Sequence, residues 1–254
     1  MTNLSVNLNK VALLRNQRDL PYPSVVEMAD TAVKAGAAGI TVHPRPDERH
    51  IRRSDVLELN AYLDAKTDGS IEYNVEGNPT PDFVDLVLGI GPTQVTLVPD
   101  APDAKTSDHG WNIAANETFL TNVVSRFRAD GLRVALFVDP DPEAIRQAHK
   151  VGADRIEIYT EPYANAYGTD TRDEVLALYR DCAEIARDLG LGVNAGHDLS
   201  LENLPTLIQT IPWILEVSIG HALTADALRF GFATSVTKYL DAIQAGSCIR
   251  LAAQ

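Results

Sequence analysis

Eight short apolar runs rich in β-branched residues recur along this chain, each followed by a stretch of helical period. The strand-like runs are Leu4 to Leu8, Gly39 to His43, Ser70 to Val75, Gln94 to Val98, Arg133 to Asp139, Arg155 to Tyr159, Leu191 to Ala195 and Leu215 to Ile219. The helical patterns are Ser24 to Ala35, Ser54 to Ala65, Pro81 to Gly89, Asn116 to Asp130, Asp141 to Val151, Asp173 to Leu189, Ser200 to Thr210 and Leu223 to Ala245. Such alternation calls for crossover connections, and so for a parallel sheet whose strands are buried on both faces. With 254 residues and 45% hydrophobic content the chain can build one full core. Residues 1–254 are therefore expected to form a single-domain α/β fold, a (β/α)8 TIM barrel; periodicity alone leaves a doubly wound open sheet as the other topology.

Charge excludes one class of partner. A formal net charge of −13 offers no basic footprint for nucleic acid, so an anionic substrate has to be met by a local cationic cluster. No apolar stretch is long enough to span a bilayer, and Met1-Thr2-Asn3-Leu4 lacks the pattern of a secretory signal, so a cytoplasmic protein is expected. Cys182 and Cys248 have no CxxC partner and are expected to be inert thiols rather than metal ligands.

In a barrel of this kind the chemistry gathers at the carboxyl ends of the strands. The exits read Asn7 and Asn9, His43, Glu72, Thr96, Asp139, Glu157, Asn194 with His197, and Gly220 with His221. Five of the histidines, His43, His50, His109, His197 and His221, fall at strand ends or in the following loops, whereas His149 lies in a helical segment. Glu72 and Glu157 stand inside apolar runs, where a carboxylate is costly unless it faces a polar mouth or is paired. Asp139-Pro140-Asp141-Pro142 is acidic enough for a metal but reads as a helix-entry turn. The run His43 to Arg53 is the densest in charge and rich in arginine, whose planar fork suits phosphate; Lys10, Arg15 and Arg18 extend it. Gly196-His197 and Gly220-His221 each end an apolar run and are expected to open a helix, where glycine permits close approach and free N–H groups hold an anion.

Together, Val6-Asn7, Leu14-Arg15-Asn16 with Arg18, Gly39 to His43 with Arg45 and Arg49-His50-Ile51, Leu97-Val98-Pro99, Ile156-Glu157-Ile158, Asn194 to His197 and Ile219 to Ala222 resemble the pyridoxine 5′-phosphate synthase family, in register from the first strand to the start of the last helix. The resemblance implies a barrel with additional helices, a homo-octamer, and no metal or organic cofactor. It also implies condensation of 3-amino-2-oxopropyl phosphate with 1-deoxy-D-xylulose 5-phosphate to pyridoxine 5′-phosphate, phosphate and water. Carried over by position, His43 and Glu72 correspond to proton acceptors, His197 to a proton donor and Glu157 to a charge stabiliser. Asn7, Gly220 and His221 would hold the aminoketone phosphate; Arg18, Arg45, His50 and Thr106 would hold the sugar phosphate. The chain departs from the family at Asn9-Lys10, where Asp-His is common, and at Asp198, where glycine is common. Lys10 is then expected to add a fixed positive charge to the sugar-phosphate side with Asn9 beside it, and Asp198 to contribute its backbone N–H while its carboxylate faces away.

Two other readings use the same residues. One is a metal-dependent sugar-phosphate isomerase or epimerase with Glu72, Glu157, His197 and His221 as ligands, weakened by the absence of HxH or HExxH spacing. The other is a non-catalytic barrel that keeps the phosphate sites. The barrel reading predicts that His43, Glu72 and His197 converge within roughly 10 Å at the carboxyl face, and that the loop Asp100 to Trp111 acts as a mobile lid closing through Thr106.

Overall fold

The computed structural model describes residues 1–18, 20–101 and 106–248. Eight strands, β1 (Asn3–Asn7), β2 (Gly39–Val42), β3 (Glu72–Gly77), β4 (Gln94–Leu97), β5 (Arg133–Val138), β6 (Arg155–Tyr159), β7 (Gly192–Gly196) and β8 (Ile214–Ile219), pair in sequence order into a closed barrel. Every neighbouring pair is parallel, β8 with β1 included. Around it run α1 (Asn9–Arg15), α2 (Val25–Lys34), α3 (Arg53–Lys66), α4 (Pro81–Ile90), α5 (Glu117–Ala129), α6 (Pro142–Lys150), α7 (Glu161–Ala166), α8 (Arg172–Asp188), α9 (Leu204–Thr210), α10 (His221–Phe230) and α11 (Phe232–Cys248). None of the described helices is long and apolar enough to cross a membrane.

Closure is the answer to the edge-strand problem, and the two faces of the closed sheet differ in chemistry. Side chains alternate along each strand. Leu4, Val6, Ile40, Val42, Tyr73, Val75, Val95, Leu97, Val134, Leu136, Ile156, Ile158 and Val217 are all buried and join the large core shared with the helices. The other parity is mostly polar. The Ser5 and Thr41 hydroxyls lie 2.6 Å apart, Thr96 Oγ1 donates to Asn74 Oδ1 at 2.9 Å, and Arg133 Nε donates to Gln94 Oε1 at 2.9 Å. Burial on both faces therefore holds, but the inner face of the barrel is a hydrogen-bonded column rather than an apolar one. A polar lining this deeply buried is tolerable because its members satisfy one another.

Several helix starts follow from local sequence. Ser24, Thr80 and Asp141 each cap a helix by accepting a backbone N–H, and Pro81 and Pro142 occupy first-turn positions where no donor is lost. The Asp139 to Pro142 segment is thus a turn and cap. Two short helices, α1 and α7, were not evident from the apolar pattern. The expected helix Leu223 to Ala245 is two helices, broken at Gly231, whose φ of 82° lies in the left-handed region. After Gly196-His197 no helix follows until Leu204, so only Gly220-His221 opens one directly. Cys182 is a free, buried thiol, pushed up to about 12 by burial; the side chain of Cys248 lies outside the described residues.

Candidate active site

A cavity of about 450 Å³ opens at the carboxyl end of the barrel. Its lining includes Asn7, Asn9, Lys10, His43, Arg45, His50, Thr106, Glu157, His197, Asp198, Gly220 and His221, all expected from the sequence. Two expected residues are elsewhere. Arg18 is exposed and does not line the cavity of its own chain, because the turn after α1 carries it outward. Glu72 is the first residue of β3, at the amino end of the barrel, where its carboxylate pairs with Arg133 and lies 3.9 Å from Arg155. The strand starts two residues later than the apolar pattern suggested and runs to Gly77. Its exit carboxylate is Glu76, on the same face as Glu72 and about 13 Å further along at the usual rise of a strand. Glu76 lines the cavity and places Oε2 3.8 Å from His43 Nδ1.

The same placement breaks up the ligand set of the metal-centre reading. Glu72 is at the opposite end of the barrel from Glu157, His197 and His221, so these four cannot bind one ion, and among the described residues no cluster of three or more His, Cys, Asp or Glu side chains has that geometry. His109, exposed and 2.6 Å from Asp108, is also outside the lining.

Backbone and side-chain contacts fix the site from below. The Asn9 side chain accepts the His43 N–H at 2.9 Å, and the Asn7 side chain accepts the Asn9 N–H at 3.0 Å, tying the exits of β1 and β2 together. Glycine is required at two further exits. A Cβ on Gly196 would meet Glu157 Oε1 at 2.1 Å, so the carboxylate lies directly on that backbone. A Cβ on Gly220 would meet Asn7 atoms at 3.1 Å. His197 itself has φ 82° and Asp198 φ 56°, a strained pair for non-glycine residues. Thr160 Oγ1 donates to the Gly196 carbonyl at 2.6 Å and to that of His197, and Asn203 Nδ2 donates to the Asp198 carbonyl at 3.0 Å. The imidazole of His197 packs against Tyr159 (5.2 Å between ring centroids) and Phe137 (5.8 Å). Asp198 is among the residues of the cavity wall, with Oδ2 3.7 Å from His197 Nδ1, and the neighbouring His197 imidazole holds it below the usual carboxylate range.

The buried acids and bases are shifted in opposite directions. Burial pushes Glu76 well above its ordinary value, with repulsion from Glu157 and Asp100 adding to it and Arg45 opposing. Burial raises Glu157 to about 7, opposed by His197. Burial also holds His43 well below the usual imidazole range, reinforced by Arg45, His50 and His197. The cavity thus sets a carboxyl biased toward its protonated form beside an imidazole biased toward its neutral form, a proton donor and acceptor together. Glu157 Oε2 has no hydrogen-bond partner among the described residues, leaving it available to a ligand. His50 is lowered to about 4 by burial and by Arg45 and Lys10; its Nδ1 accepts the Ile51 N–H at 2.9 Å, which leaves the ring proton on Nε2. Arg45 pairs with Asp100, and Ser107 donates to the same Asp100 oxygen at 2.7 Å. Of the loop between Asp100 and Trp111, residues 102–105, with Lys105, lie outside the described ones.

Sequence reasoning missed Glu76, Ser107, Tyr159 and Ser218 in the lining. For Glu76 a signal existed: Tyr73 and Val75 alternate with Asn74 and Glu76, and Gly77-Asn78-Pro79 marks the true exit.

A family model described as Pyridoxal phosphate biosynthesis protein PdxJ matches residues 4–245. A pyridoxine 5′-phosphate synthase from Parabacteroides distasonis is 53% identical over 239 residues, 94% of this chain and 98% of that protein. One from Bacteroides fragilis is 52% identical over 244 residues, 96% of this chain and 100% of the relative. Phosphoribosyl anthranilate isomerase from Thermotoga maritima superposes with a TM-score of 0.62 at 13% identity, covering 96% of this chain and 99% of that one, a likeness of fold alone.

Proposed function

We infer the chemistry of the cavity from one premise: the chain belongs to the family of the pyridoxal phosphate biosynthesis protein PdxJ, whose relatives are pyridoxine 5′-phosphate synthases. The activity is the condensation of 3-amino-2-oxopropyl phosphate with 1-deoxy-D-xylulose 5-phosphate, giving pyridoxine 5′-phosphate, phosphate and water. The substrate's own amine supplies the imine nitrogen, so the protein has to supply proton transfers, orientation and a site for each phosphate.

One observation carries the assignment of roles: His43 and Glu76, 3.8 Å apart and each shifted by burial toward its neutral form, share a cavity with Glu157 and His197. His43 and Glu76 act as the proton-transfer pair, Glu76 replacing Glu72 in that role. Glu157, ionising near neutrality, balances positive charge developing on the imine nitrogen. His197, held against Tyr159 and Phe137, returns a proton to leaving oxygen. Gly220 is the N-cap of α10, and its free N–H groups with His221 and Asn7 suit the aminoketone phosphate. Arg45, His50, Thr106, Lys10 and Asn9 suit the sugar phosphate. The family resemblance further supports a cytoplasmic homo-octamer, which light scattering of the purified protein tests. Incubation with both substrates should yield pyridoxine 5′-phosphate, detected by its absorbance; no product from a folded protein that binds both phosphates would overturn the catalytic assignment in favour of a binding barrel.

A further inference from the structure

The segment from His43 to Arg52 carries Arg45 and His50 into the cavity, and its far turn is held from outside. The side-chain amide of Asn16, the residue that ends α1, donates to three successive backbone carbonyls: Glu48 at 3.2 Å, Arg49 at 3.2 Å and His50 at 2.8 Å. Three carbonyl oxygens aimed at one point repel one another unless a donor sits between them. The turn also contains Glu48 at φ 51°, a conformation a glutamate does not adopt unaided.

Arg15 fixes the donor in place. Its Nε and Nη2 donate to Asn16 Oδ1 at 3.1 and 2.9 Å, so the amide cannot flip without losing both bonds. The same guanidinium forms a buried two-pronged pair with Asp55, in the first turn of α3, at 2.5 and 2.8 Å, and donates to the His50 carbonyl at 3.3 Å. Asp55 Oδ2 in turn accepts the Arg52 N–H at 2.8 Å. The end of α1, the 48–50 turn and the start of α3 are thereby one unit.

We propose that Asn16, oriented by Arg15 and Asp55, is a positioning residue that sets the direction of the His50 Nε2–H toward a phosphorylated substrate. The His50 carbonyl, held by both Asn16 and Arg15, fixes the peptide that leads into Ile51, and the Ile51 N–H is the group that dictates the His50 tautomer. Without the Asn16 donor the turn relaxes away from three converging carbonyls, and the imidazole loses both its tautomer and its aim.

The role in substrate binding rests on the function proposed above; the control of the ring does not. Asn16→Ala should raise the KM for the sugar phosphate about tenfold while kcat stays within about threefold, and should add almost nothing in a His50→Ala background. Asn16→Asp, which keeps the acceptor for Arg15 but removes both donors, is the alternative if alanine prevents folding. Nitrogen NMR of the ligand-free protein with labelled histidine should show His50 as a single Nε2–H tautomer in the parent and a mixture in the variant. An unchanged tautomer, or a KM effect that simply adds to that of His50→Ala, would make Asn16 a general structural residue and overturn the inference. A parent protein that makes no product would count against the proposed function and leave the NMR result to decide the inference.

Discussion

Glu72 and Glu76 share a strand and a face, yet occupy different chemical worlds. Glu72 sits at the barrel's amino end between Arg133 and Arg155, whereas Glu76 meets His43 in the cavity and is pushed upward by burial. Glu76→Gln should therefore lower turnover by about two to four orders of magnitude, the range for a lost proton-transfer group. Glu72→Gln should leave turnover within about threefold but lower stability by about 3 kcal/mol, since it strands two guanidinium groups. Steady-state rates and chemical denaturation of both variants check the pair. Glu157 gives a second residue-scale expectation. Its folded value of about 7 lies above the ordinary 4.5, so the folded state binds more protons than the unfolded one. Its contribution to stability is full below the ordinary value and is lost as pH rises through about 7. Glu157→Gln removes that loss: its unfolding free energy should exceed the parent's at pH 8.5 by a margin of about 3 kcal/mol, and the margin should close toward pH 5. A gap independent of pH would place the shift elsewhere.

At the scale of elements, the start of α10 depends on a close approach. Because a Cβ at Gly220 would sit 3.1 Å from Asn7, Gly220→Ala should push Asn7 aside and raise the KM for the aminoketone phosphate about tenfold, with little change for the sugar phosphate. Equal effects on both would mean that the two phosphates do not divide between α10 and the β2 exit. Much at this scale was legible in the sequence. All eight strands were located, β6 with its bounds unchanged, since a parallel barrel strand is a short apolar run between turn signals. The errors have physical causes. The seven-residue α1 and six-residue α7 are too short to show a period, and Gly231 breaks a helix whose apolar pattern continues across it. Strand ends are set by closure of the sheet, which no single run encodes, and a two-residue error at β3 exchanged the amino end for the carboxyl end. The inner polarity was hidden because Thr41, Asn74 and Thr96 look, in isolation, like interruptions.

For the whole molecule, the contrast is between an acidic chain and the two cationic side chains, Lys10 and Arg45, that it brings to the cavity. The net charge is −13, yet Lys10 and Arg45 meet in the lining with the neutral His50 as a further hydrogen-bond donor, so attraction of a phosphate is short-ranged and works against the field of the rest of the protein. Salt should weaken sugar-phosphate binding through the local cluster. Lys10→Met should weaken it by about 1–3 kcal/mol, flatten the dependence on ionic strength, and leave the aminoketone phosphate nearly untouched. Binding titrations at several salt concentrations test this; equal weakening of both substrates, or of neither, would remove Lys10 from the site.

The two-faced strands of the barrel bear on how such a protein can change over time. Outward side chains lock the sheet to its helices, and inward ones carry hydrogen bonds and, at the upper end, the acid and base groups. Neighbouring positions in one strand thus answer to different selective demands. A lineage can revise the upper inward positions, trading one substrate for another, while the adjacent outward positions go on specifying the same scaffold, so innovation and inheritance can proceed side by side within a single five-residue segment such as β6.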